Sequence, residues 1–414
     1  MDRADREEDT GNRADGVMDR HAPSRTTKKE RRHKRGTMAE SAGTEGRGIR
    51  ITLEEVAGAV GDFGTIFPIL LGVAIVCPDV NISHFFLFLA AWFIIAGFYY
   101  RLPIPIEPMK AIGAIVIAEG LSGGEIVASG IVVGALFLLL GLVGGMTWIG
   151  KRIPRSVIRG VQAGLALLLL KTSLGYILAD ALFAAFSIGI ILLFFVASQR
   201  ARVPDISALL VLLIGLAAGI AAQGMPPFRL MPLPALIIPS PTDFIAGTWD
   251  LVLPQIPLTL ANAILATSLL TYDLFPKKGV DPDRLSRTIG AMNLVSTPLG
   301  GFPMCHGAGG LAAMYRFGAR TGGANIVAGL FILIFAVAFA PPEVLTLIPL
   351  GVFGALLVFV ALELGKHSAK TESYLVTGTV AVLTLAVGLT VAFIIGMVLA
   401  YALRWRVNRQ QSGS

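Results

Sequence analysis

Two short passages, PIPIEPMKAIGA at residues 103–114 and GGFPMCHGAGG at 300–310, decide how this chain folds. Each holds a Pro-Met pair, Pro108-Met109 and Pro303-Met304, 195 residues apart, and each opens an apolar run. Proline suits the first position of a helix, because its missing N–H would have had no partner there. Small residues behind it let a ligand reach backbone N–H groups. The pair predicts a duplicated unit with a half-helix end in each half, both suited to an anion. The blander alternative is that Pro and Gly merely kink packed helices.

The rest of the chain supports duplication in a membrane. Of 414 residues, 54% are hydrophobic and only 15% charged, more apolar surface than one soluble core of this size can bury. Runs such as Phe85–Tyr99 and Ile131–Met146 are apolar on every face. From Leu53 onward the hydropathy gives fourteen segments, near 53–77, 83–100, 103–119, 126–148, 154–179, 181–199, 206–223, 254–275, 284–298, 304–318, 322–340, 342–364, 372–388 and 389–408. Cytoplasmic loops collect Lys and Arg. Loops after even-numbered segments contain Arg101, Lys151, Arg152, Arg200, Lys277, Lys278, Arg316, Arg320, Lys366 and Lys370, whereas loops after odd-numbered ones contain only Arg229. An even count with both termini cytoplasmic follows. The formal charge of +7 therefore reports topology and calls for no nucleic-acid partner.

The predicted organisation is an all-α polytopic protein of about fourteen transmembrane segments in seven-plus-seven inverted repeats, an odd number per half forcing the halves into opposite orientations. Residues 51–223 form the first repeat, 224–253 a Pro-rich extracytoplasmic loop (PPFRLMPLPALIIPSP), 254–408 the second repeat and 409–414 a tail. Residues 1–50 carry 13 Lys or Arg and 10 Asp or Glu with few large apolar residues, and are expected to be disordered. The basic run at 28–35 lacks the apolar core of a signal peptide, and Met38 offers an alternative start.

An ionisable group near the bilayer centre costs roughly 2.5–3.5 kcal/mol, so each one needs a partner or a role. Asp62 lies in the glycine-broken stretch GAVGDFGT, 58–65, either as proton carrier or donor-orienting group, or as a structural acceptor. Lys110 is the natural counter-charge for a dianion, unless it pairs with Glu107 or Asp62. His306 either titrates and couples proton to anion movement or stays a neutral donor. Its neighbour Cys305 points about 100° away on a helix, which excludes a nucleophile pair and a hydrolase. Gln255, Thr259 and Asn262 fall at i, i+4 and i+7, on one helix face, as a cavity lining or as interhelical glue. No metal or cofactor motif is present.

The blocks GAVGDFGTIFPI (58–69), PIPIEPMKAIGA (103–114), QIPLTLANAILA (255–266) with DLFP (273–276), and GFPMCHGAGGLAAMYRFGARTGG (301–323) resemble the signatures of the molybdate transporter family, a branch of the sulfate permease superfamily. The resemblance runs from about residue 51 to the C-terminus. It implies the fourteen-helix fold of uracil-permease-like carriers, with core and gate domains, in the plasma (inner) membrane. The first, third, eighth and tenth helices would surround the ligand. The substrate site would draw on Asp62, Gly64, Thr65, Pro108, Met109, Lys110, Thr259, Asn262, Pro303, Cys305, His306, Gly307 and Ala308, with Asp62, Glu107 and His306 as groups for proton coupling. The implied partners are molybdate or a similar oxyanion and membrane lipid, with a homodimer left open and no cofactor. Sulfate, bicarbonate or a nucleobase as cargo, or an anion channel, are the alternatives. Two departures stand out. The regulatory STAS domain of typical sulfate permeases does not follow the last segment, and glutamate stands at 107 where the family leads one to expect glutamine.

The charge alternation is testable by cysteine labelling, in a chain whose own Cys77 and Cys305 are replaced by alanine. An impermeant maleimide added to intact cells should label Arg229→Cys and spare Lys278→Cys until the membrane is opened. The reverse pattern would refute the topology.

Overall fold

The computed structural model describes residues 48–411 apart from 147, 149–151, 201–205 and 367. The charged stretch predicted at 1–50 lies outside the described residues up to residue 47. In the first half, α1 (Leu53–Ala59) runs through a 3-10 turn at Val60–Asp62 into α2 (Phe63–Val76). Then come α3 (Ile82–Tyr100), β1 (Glu107–Pro108), α4 (Lys110–Glu119), α5 (Gly123–Leu142), α6 (Arg155–Ala179), α7 (Ala181–Arg200) and α8 (Ser207–Gln223). In the second half, α9 (Pro241–Ala246), α10 (Leu253–Leu258) and α11 (Thr267–Leu274) form one rod joined by π turns at Gly247–Val252 and Thr259–Ala266. They are followed by α12 (Pro282–Ser296), β2 (Met304–Cys305), α13 (Ala308–Arg316), α14 (Gly323–Ala338), the short α15 (Glu343–Thr346), α16 (Leu350–Gly365), α17 (Tyr374–Val387) and α18 (Leu389–Gln411). Among the described residues six runs are long and apolar enough to cross a bilayer: α1–α2, α3, α5, α6, the α9–α11 rod and α18. With shorter apolar helices around them, they make this an integral membrane protein.

Local chemistry moves several predicted boundaries. The segments expected at 103–119 and 304–318 are helical only from Lys110 and from Ala308. Prolines at 103, 105 and 108 remove donors and push the residues before them out of the helical region, so the chain approaches α4 extended. The loop expected to reach residue 253 ends at Ser240. There Ser240 and Asp243 form a capping box and Pro241 takes the first helical position. Segment 342–364 is broken at Pro349, where α16 starts. The last helix runs to Gln411, past the predicted end at 408, on a polar but helix-compatible tail.

Helices pack in two sets. In one, α3 lies along α14 and α5 along α12; in the other, α6 lies along α16 and α17, α7 along α16, and α17 along α18. The first set is held by an aromatic ladder in which Phe67 meets Phe335 at 4.6 Å between ring centroids and Phe63 meets Phe331 at 5.6 Å. The segment 224–240 lies against one end of that set, where Ile237 N donates to Pro298 O at 2.7 Å and the His84 ring meets Pro232 O at 2.9 Å.

Glycines bring these helices together without hydrophobic drive from lipid. A Cβ on Gly290 would stand 2.5 Å from the backbone nitrogen of Leu138, so α5 and α12 touch through backbone. Gly290→Ala should therefore cost about 1–3 kcal/mol of overpacking, read as a lower Tm in detergent. Gly378→Ala, with nothing within 4 Å of the new methyl, should not lower it.

Candidate functional site

The two Pro-Met passages meet. β1 and β2 pair antiparallel, Glu107 opposite Cys305 and Pro108 opposite Met304, and Met109 N donates to Pro303 O at 2.8 Å. Their outer edges are completed by side-chain amides. Asn293 donates from Nδ2 to Met304 O at 2.7 Å and accepts from Met304 N at 2.8 Å, acting as a third strand one residue long. Asn325 Nδ2 donates to Ile104 O at 2.5 Å. The backbone thus leaves helical geometry at this depth with its polar groups paired.

Each strand feeds a half-helix, so two helix N-termini open in the protein interior. At α4, Ala111 N and Ile112 N donate to Gln255 Oε1 at 2.9 and 3.3 Å, and Gln255 Nε2 donates onward to Thr259 Oγ1 at 2.9 Å. At α13, Gly310 N donates to Glu107 Oε1 at 3.3 Å, while Lys110 Nζ reaches Glu107 Oε2 at 2.5 Å. Glu107 is 1% exposed. Gly307 has no side chain because a Cβ there would strike the Glu107 carboxylate, and one on Gly310 would lie 2.5 Å from both Asp62 and Glu107 oxygens. Asp62 Oδ2 and Thr65 Oγ1 are buried without a hydrogen-bond partner.

A cavity of about 300 Å³ opens beside these groups, between the two helix sets. Thr65, Glu107, Lys110, Gln255, Asn262, Cys305 and Ala308 line it from one side. Gln162 of α6 and Val360 and Glu363 of α16 line it from the other. Of the residues named from sequence, Thr65, Lys110, Asn262, Cys305 and Ala308 are in its wall. Pro108, Met109 and Pro303 belong to the paired passages that floor the site without lining the cavity themselves, Gly307 makes room for Glu107, and Gly64 sits in the first turn of α2 beside Thr65.

Two placements differ from the sequence reading. Thr259 is fully buried and accepts from Gln255 Nε2 without lining the cavity, whereas Gln255 and Asn262 both line it. His306 lies in the link between β2 and α13, not on a half-helix, and its ring is not among the groups that line the cavity. Nδ1 donates to Pro105 O at 3.0 Å and Nε2 meets Thr288 Oγ1 at 2.8 Å.

Asn293, Asn325, Gln162 and Glu363 were not singled out from sequence, although each is a polar group within an apolar run and could have been found by that test. Glu55 escaped for the same reason. Its buried carboxylate accepts from Arg320, Thr321 and Ala324 N–H groups and caps α14.

A family model described as "Molybdate transporter of MFS superfamily" matches residues 54–169 and 247–364. The chain belongs to the molybdate transporter family. The two matched stretches contain every residue that lines the cavity. Molybdate transporter 1 of Arabidopsis thaliana is 30% identical over 416 residues, covering 87% of this chain and 90% of that one. In fold, this molybdate transporter family member resembles the transmembrane domain of the cyanobacterium bicarbonate transporter BicA, with a TM-score of 0.62 at 16% identity over 84% of this chain and 98% of that one. It also resembles the murine Solute Carrier 26 family member A9 anion transporter in the inward-facing state, with a TM-score of 0.65 at 15% identity over 94% and 76%. The fold is thus that of the sulfate permease and Solute Carrier 26 group.

Asn293→Ala should leave the Met304 N–H and carbonyl unpaired, about 1–3 kcal/mol for each buried group. A lowered Tm together with lost substrate binding in the fraction that remains folded is the expected result. Binding that survives intact would show that the floor does not depend on this amide.

Proposed function

We propose that the chain is a secondary active transporter of a tetrahedral oxyanion, molybdate foremost, which works by alternating access around the cavity between the helix sets. The observation that carries the reading is the convergence on that cavity of a half-buried lysine, two half-helix N-termini and the unpartnered hydroxyl of Thr65. Backbone N–H groups at helix starts and an ammonium suit a compact dianion with four acceptor oxygens. Family membership selects molybdate among such anions.

The site comprises Thr65, Lys110, Asn262, Cys305 and Ala308 at the wall, with Asp62 and Glu107 as the groups for proton coupling. Asp62 and Glu107 crowd one glycine beside a single lysine, whereas the His306 ring is held by Pro105 O and Thr288 Oγ1. The seven-plus-seven arrangement has support in the pairing of helices. If the halves are equivalent, α3 with α14 exchanges with α12 with α5, α6 with α17 exchanges with α16 with α7, and α7 with α8 exchanges with α17 with α18. The strand register agrees, since the Pro108–Met304 pair becomes Met109–Pro303 under the same exchange. Both termini are taken as cytoplasmic from the charge alternation, and the plasma (inner) membrane as the location that the family resemblance implies.

Calorimetry on purified protein tests the reading. Molybdate should bind, sulfate more weakly and uracil not at all. Lys110→Ala should lose about tenfold or more in affinity, about 1.4 kcal/mol, and Thr65→Val a smaller amount, about 0.5–1.5 kcal/mol for one hydrogen bond. Uracil binding without any oxyanion response would overturn the substrate and leave the fold untouched.

A further inference from the structure

The donors best placed to hold an incoming oxyanion are already in use. Glu107 puts one carboxylate oxygen on the Gly310 N–H at the start of α13 and the other on the Lys110 ammonium. The carboxylate is the same kind of ligand as the anion the site is built for: a delocalised negative charge with paired acceptor oxygens.

A second carboxylate in the protein shows what a permanent cap looks like. Glu55 takes three backbone N–H groups, those of Arg320 and Thr321 in the turn before α14 and of Ala324 in its first turn, at 3.1, 2.9 and 3.1 Å. Glu107 takes one, at 3.3 Å, and otherwise depends on Lys110. Glu55 fills its helix end; Glu107 sits on the edge of a cavity of about 300 Å³ with a thin hold on its own.

The charges around Glu107 make co-occupancy costly. Lys110 faces it from α4, Asp62 from the 3-10 turn, Cys305 from β2 and Glu363 from α16 across the cavity, while the His306 ring is turned to Pro105 and Thr288. Glu363 has its own partner in Lys366. One lysine therefore serves two carboxyls, and a dianion added beside ionised Glu107 would meet like charge at close range in a weakly screening interior.

We propose that Glu107 is an internal occupant of the substrate seat, which the oxyanion must displace. This rests on the oxyanion reading above. The entering anion takes over the Lys110 ammonium and the Gly310 N–H. The freed carboxylate accepts one proton from hydronium on the side of the membrane to which the cavity is open. No other bond is made or broken, and the anion and its proton travel together. Glutamate in place of the glutamine expected at 107 thus fixes the charge that must accompany the cargo.

The test uses the full chain in detergent, titrated with molybdate at mildly acidic and mildly alkaline pH, in buffers of different ionisation enthalpy so that protons are counted. Wild type should bind more weakly as pH rises and take up about one proton per anion. Glu107→Gln, whose amide oxygen still accepts from Gly310 but presents no charge to Lys110, should bind about tenfold more tightly at alkaline pH, a shift of about 1.4 kcal/mol. It should lose the pH dependence and take up no proton. Equal or weaker binding by this variant overturns the proposal. So does an equal gain from Asp62→Asn, which removes the same charge without freeing either donor. Should Glu107→Gln not fold, the proton count on wild type still decides, and zero uptake overturns the proposal. Absence of molybdate and sulfate binding in wild type and variant alike would instead sink the oxyanion reading itself.

Discussion

A bilayer offers no water to an interrupted backbone, so a chain that leaves helical geometry at membrane depth must pair every freed N–H and carbonyl within the protein. Here that constraint falls on residues 103–109 and 303–307. The two stretches meet the need with each other, as a two-residue antiparallel pair, and with the side-chain amides of Asn293 and Asn325. Once that pairing is fixed, much else is fixed with it. The strands must lie side by side near the middle of the molecule, α4 and α13 must leave them in opposite directions, and two helix starts must open inward.

Inward helix starts carry positive partial charge, and the protein answers it differently at each. The start of α14, outside that pair, shows a closed end, where Glu55 accepts from Ala324 N in the first turn and from Arg320 N and Thr321 N just before it. At α4 the answer is the neutral amide of Gln255, because Lys110 occupies the first turn and already adds a positive charge that the helix dipole disfavours. Glu107 relieves that repulsion and the start of α13 together. One carboxylate thus balances two unfavourable features on opposite strands, and any anion that can do the same is a chemically equivalent partner for them. This is the electrostatic basis for reading the cavity as an anion seat.

How far the sequence foretold this depends on which property of a residue the argument used. Mean hydropathy, loop charge and the Pro-Met spacing are properties of position along the chain, and the helices, the half-helix starts and the meeting of the two passages follow from them. Side-chain direction is not such a property. Helical spacing put Gln255, Thr259 and Asn262 on one face, as a cavity lining or as interhelical glue; Gln255 and Asn262 line the cavity, while Thr259 is buried and holds the Gln255 amide. His306 was placed at a half-helix start, yet it lies in the link between β2 and α13, where Cys305 lines the cavity and the His306 ring is held by Pro105 and Thr288 instead. Gln162 and Glu363 reach the site from the other helix set, a long-range contact that no local pattern encodes.

That last pair bears on how the cavity can work. The wall built by the strand set is rich in donors and braced by the phenylalanine ladder, by Asn293 and by backbone-to-backbone glycine contacts, and it has little freedom to deform. The wall built by α6 and α16 contributes Val360, Gln162 and a glutamate already paired with Lys366, none of which holds the strand floor or either half-helix start. On the proposed reading, recognition resides on the strand-bearing wall and the wall of α6 and α16 encloses it. In a carrier, such a division lets the binding wall keep its geometry while its exposure changes, because sliding one set past the other breaks few of the hydrogen bonds that define the seat.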